Sequence, residues 1–140
     1  MSRKVNGYEI VPKANLKEAE LCGFNLREAN LREANLNFAN LSKTDLENAD
    51  LSGSDLERAN LRDSNLKNAN LCKADLSGAN LHKANLRGAD LSKANLNNTN
   101  LTGANLEGTK IDNTNFENAN LTNTKLLIEF YNPSMYRSTI

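Results

Sequence analysis

Few side chains in this sequence are chemically reactive. It holds two cysteines, Cys22 and Cys72, and one histidine, His82. A working thiol–imidazole pair needs its partners within about 3 Å, and a disulfide needs Cα atoms within about 7 Å. Asp45, Asp50, Asp55 and Asp75 recur at multiples of five, and stacked carboxylates are oxygen ligands suited to a divalent cation. The seven glycines are scattered through Ser-Gly, Arg-Gly and similar turn pairs, so no glycine-rich phosphate cradle is expected. Whether any of these groups meet depends on the elements that carry them.

Those elements repeat every five residues. From Leu16 to Leu126 an aliphatic or aromatic residue stands at each fifth position, giving 23 centres, of which 21 are Leu. Two places ahead of each centre stands a small residue: Ala in 15 pentads, Thr in five, Ser in two, with Phe24 the exception. Asn or Asp immediately precedes 20 of the centres; Glu20, Lys110 and Lys125 precede the rest. The two positions after the centre are polar and varied.

A period of five suits neither regular element. On an α-helix the leucines would spiral over every face, and on a flat strand an odd period would alternate them between faces. Asn and Asp also favour turns, where they bond to nearby backbone. A chain that turns one corner per pentad keeps every Leu inside, with the small residue beside the corner.

Ala29-Asn30-Leu31-Arg32-Glu33 and Ala89-Asp90-Leu91-Ser92-Lys93 carry the motif Ala-(Asp/Asn)-Leu-x-x. In this the sequence resembles the pentapeptide repeat family over residues 14–128. The resemblance implies an all-β fold, a right-handed quadrilateral parallel β-helix of about 23 repeats with 20 residues per coil. At about 4.8 Å per coil the rod is roughly 28 Å long.

In such a coil, residues twenty apart form columns. Cys22 then shares a column with Ser42, Arg62 and His82, and Cys72 lies on the opposite side with Arg32, Ser52 and Ser92. The cysteines therefore form no intramolecular disulfide, and Cys22 lies three coils, about 14 Å, from His82. The aspartates fall at corners, where the repeat uses Asp and Asn as turn residues. No cofactor, metal or catalytic residue is expected.

The repeat stops short of both ends, and an uncovered β-helix end would template aggregation. Residues 1–13, with Val5, Tyr8, Ile10, Val11 and Pro12, are read as an N-terminal cap, and residues 129–140 as a C-terminal cap or dimer segment. Around that second end Leu127, Ile128, Phe130, Tyr131, Met135 and Tyr136 are the candidate cap or dimer contacts; pairing there is also known in the family. Phe24, in the first coil, is expected to tilt towards the open end as a plug.

At 140 residues the chain has room for one domain, with 17 basic and 17 acidic residues in balance. No apolar run matches a membrane span, and the start has no leader-like stretch, so a cytoplasmic chain with free thiols is expected. The face centred on Leu16, Leu36, Leu56, Leu76, Leu96 and Phe116 sets Lys17 and Arg58 against Glu18, Asp55, Glu57, Asp75 and Glu117, a net −3. A rod mimicking duplex DNA over that length would show roughly 16 charges. These features lead to a non-catalytic scaffold or protein-interaction rod, with nucleic acid an unlikely partner and a homodimer through the C-terminal end as an option. The alternatives are a DNA-mimicking inhibitor or protector of DNA gyrase, which the resemblance suggests, and a purely structural or engineered consensus solenoid.

Overall fold

The computed structural model describes residues 3–126. It opens with an antiparallel hairpin of β1 (Arg3–Val5) and β2 (Tyr8–Ile10), in which Arg3 pairs with Ile10 and Val5 with Tyr8. That register leaves Asn6 and Gly7 as a two-residue turn, with φ of 48° and 81°. Positive φ at both positions marks the type I′ turn, whose twist matches the flanking strands and which favours Asn-Gly.

Beyond the hairpin the chain winds as a β-helix. The residue ahead of each centre forms a one-residue parallel bridge with its counterpart one coil on, from Asn15↔Asn35 to Asn105↔Lys125. Successive bridges lie five residues apart, so each coil has four sides. There is no α-helix among the described residues. The ladder runs both ways: Leu56 N–H donates to the Asp75 carbonyl of the next coil at 2.7 Å, and Asp55 N–H to the Ala34 carbonyl of the preceding coil at 3.0 Å.

Each corner is built by the same local chemistry. The small residue's N–H returns to the centre's carbonyl three places back, as from Ala59 to Leu56 at 2.9 Å. The second residue after the centre takes positive φ, as at Arg58 (55°) and Asn68 (56°). This sign pattern is that of a type II turn. The Asn or Asp ahead of the centre braces it: Asp55 Oδ1 accepts the Glu57 N–H at 3.0 Å and Asn60 Oδ1 the Arg62 N–H at 3.1 Å. A short side-chain oxygen reaches that N–H, which explains the Asn and Asp at this position.

The centres from Leu16 to Leu106 are buried and Phe116 is 4% exposed, whereas Ile111, Leu121 and Leu126 are half-buried. Burying each contributes about 1.5–3 kcal/mol against the entropy of ordering the chain. Hydroxyls that replace Ala are satisfied inside the rod. Thr44 Oγ1 donates to the Leu21 carbonyl of the previous coil at 2.9 Å, and Ser54 Oγ to Leu51 of its own turn at 2.6 Å.

The hairpin lies against the first coil. Val5 and Tyr8 pack on the core and Ile10 is 6% exposed. Carbonyls that elsewhere accept from the preceding coil here take side-chain donors. Asn6 Nδ2 donates to the Glu20 carbonyl at 2.8 Å, while the Arg3 guanidinium donates to the carbonyls of Asn25 and Arg27. Phe24 keeps 38% of its surface and stands outside the core cluster.

Candidate functional site

The residues with chemical potential do not converge. Cys22 is exposed and accepts a hydrogen bond from Ser42 Oγ at 3.2 Å, in the column that the twenty-residue coil dictates. His82 stands three coils further on, its N–H held by Asn80 Oδ1 at 3.0 Å. Cys72 is half-buried and also free. It borders a shallow, open depression of about 510 Å³ lined by Arg32, Glu33, Asp50, Ser52 and Lys73. The depression exists because Gly53 leaves a gap in the column between Glu33 and Lys73.

The four aspartates are engaged in turns. Asp45 Oδ1 accepts from the Glu47 N–H and Asn65 Nδ2, and Asp50 Oδ1 from the Ser52 N–H and hydroxyl. Asp55 accepts from the Glu57 N–H and Asn37 Nδ2, and Asp75 from the Ser77 N–H and Asn95 Nδ2. Their oxygens brace corners and tie neighbouring rungs. Among the described residues no three His, Cys, Asp or Glu side chains are grouped to hold a metal ion.

Charge is organised as short ladders. Arg27 bridges Asp45 and Glu47 one coil on, and Lys67 approaches Glu47 from the following coil at 3.9 Å. The Arg27 hydrogen bond holds the Glu47 carboxyl below the usual carboxylate range, and the same contact raises Arg27. Asp90 is lowered by hydrogen bonds from the Ser92 hydroxyl and N–H.

One surface feature escaped the sequence reading. Phe38 is 46% exposed and sits at a corner with φ of 58°. That backbone region disfavours bulky L-residues. The described non-glycine residues that share it are otherwise Asn, Asp, Glu, Lys or Arg. The Arg58 guanidinium lies over its ring at 5.6 Å from the centroid. An aromatic among the polar positions after a centre is the signal that could have found it. The C-terminal candidates Leu127, Ile128, Phe130, Tyr131, Met135 and Tyr136 lie outside the described residues.

The family model for pentapeptide repeats matches residues 14–53, 54–92 and 89–126. The chain belongs to the pentapeptide repeat family. Among solved structures it is similar to HetL, a pentapeptide repeat protein involved in heterocyst differentiation regulation from the cyanobacterium Nostoc sp. strain PCC 7120. The two are 36% identical, with a TM-score of 0.64 over 81% of this chain. The match spans 62% of the length of HetL. Rfr23, a pentapeptide repeat protein from the cyanobacterium Cyanothece 51142, is 30% identical with a TM-score of 0.50, covering 84% of this chain and 86% of that one. No curated protein sequence matches. Among the described residues no helix is long and apolar enough to cross a membrane.

Proposed function

We propose that this pentapeptide repeat protein is a non-catalytic rod that docks a protein partner through its side, with Phe38 and Arg58 at the contact. The observation that carries this reading is Phe38 itself. Its ring gains little from burial, and its backbone takes a conformation that Asn or Gly occupies with less strain. Aromatic and Arg side chains are also the types enriched where interfaces concentrate their binding energy. The aspartates, engaged in corners, and the separated Cys22 and His82 support a role without catalysis. The involvement of HetL in heterocyst differentiation regulation fits a scaffold of this kind.

A photo-crosslinking residue placed at position 38, in cells of the source organism, is expected to capture a discrete protein partner. The same residue at position 68, exposed on the opposite face, is expected to capture none. Equal labelling from both positions would remove the assignment to this side. A face of net −3 gives the gyrase alternative little support, and excess protein is expected to leave DNA supercoiling by gyrase unchanged.

A further inference from the structure

We infer that Asn6 is a modification site, at which deamidation converts the donor that fastens the N-terminal hairpin into a carboxylate and releases the end of the rod. The sequence singles it out. Of the 25 asparagines in the chain, Asn6 alone precedes a glycine. Deamidation begins with attack by the following residue's backbone nitrogen on the side-chain carbonyl carbon, and a Cβ on that residue hinders the approach. Repeat asparagines ahead of a centre precede Leu or Phe, and their Oδ1 atoms are held by the N–H two places on, as at Asn60 and Asn80.

The structure supplies the rest. Asn6 and Gly7 are both exposed, and a Cβ built on Gly7 would meet nothing within 4 Å. The Gly7 N–H makes no hydrogen bond among the described residues. The Asn6 side chain, in contrast, is committed: its Nδ2 donates to the Glu20 carbonyl at 2.8 Å. Attack requires that bond to break so the amide can rotate towards the Gly7 nitrogen. Docking of the hairpin therefore protects Asn6, and undocking exposes it.

The chemistry balances with water as the only co-reactant. The Gly7 nitrogen loses its proton to base and bonds to Asn6 Cγ. The Cγ–Nδ2 bond breaks, and Nδ2 leaves as ammonia after taking a proton from solvent. Water then opens the resulting succinimide at either carbonyl, giving Asp or isoaspartate. Neither product carries a donor for the Glu20 carbonyl, and the new carboxylate repels it. Isoaspartate also adds a methylene to the main chain, which breaks the two-residue turn that sets Val5 opposite Tyr8. The freed end bares carbonyls of the first coil, an unpaired strand edge open to a second copy of the chain.

The test is ageing of the full chain in mildly alkaline buffer, followed by peptide mass analysis. The mass gain of deamidation is expected on the tryptic peptide spanning residues 5–13, well before any repeat peptide. Arg3→Ala, which loosens the hairpin through different contacts, is expected to speed the conversion several-fold. Gly7→Asn, which tolerates the positive φ but hinders attack, is expected to suppress it. Asn6→Asp is expected to elute as a larger assembly than wild type, and Asn6→Gly, which loses the donor without adding charge, to lie between them. Conversion first at repeat asparagines, or at an unchanged rate in Arg3→Ala, would overturn the protected site. An Asn6→Asp chain with wild-type size and melting temperature would overturn the release.

Discussion

Arg27 reaches from the first coil to the Glu47 carboxylate directly beyond it, joining two coils through side chains in the same column as the backbone ladder. Because the contact lowers the Glu47 pKa in the folded state, the stability it adds is fully present at neutral pH. It is lost as pH falls from the ordinary carboxylate value through the lowered one. Asp90, lowered by Ser92, behaves in the same sense. Glu47→Gln is expected to flatten the acid limb of the melting temperature against pH, and added salt to shrink the difference from wild type. Parallel curves for the two proteins would show that the pair contributes nothing.

Leu71 is fully buried in the middle of the stack. Leu71→Asp places a charge among leucines with no partner, and should cost about 3 kcal/mol or more, enough to unfold a marginal rod. Arg87→Gln, on an exposed position of the same coil, should change stability by less than about 0.5 kcal/mol. Chemical denaturation of both variants checks the contrast.

Phe38→Asn should raise stability by about 0.5 kcal/mol, because relief of the left-handed backbone outweighs the lost contact with Arg58. The same substitution should weaken partner capture. A lower melting temperature would mean that the ring serves the fold.

Cys22 is exposed and Cys72 half-buried, both free. Both should react with a thiol reagent in the folded protein without prior reduction, Cys22 the faster. An intramolecular disulfide detected by mass analysis would contradict the column positions.

The coil was legible because its constraint repeats in every pentad: Leu71 can face inward only if the chain turns at Lys73 and again at Gly78. Cys22 and His82 could be separated by counting once the family resemblance supplied a coil of twenty residues. The surface was less legible. Phe38 breaks the polar pattern of the positions after a centre, yet the meaning of that break rests on its exposure and its left-handed backbone, which residue types do not carry. The same holds for Arg3 and Asn6, outside the repeat. Their role rests on carbonyls of Asn25 and Glu20, and main-chain groups left over at the end of a ladder are invisible in residue types. Phe24 stood out as a breach of the small-residue rule, yet its exposure could not be read from that breach.

The exact return of each column after twenty residues makes the rod a device whose length and phase can be altered separately. Duplicating a whole coil lengthens it while every downstream side chain keeps its compass direction. Deleting a single pentad leaves each Leu inside but turns everything beyond the cut by a quarter revolution. Two contact points on one side, such as Phe38 and a residue several coils away, would then point in different directions on an intact core. Natural variation in such a chain can thus re-aim a surface without renegotiating the interior.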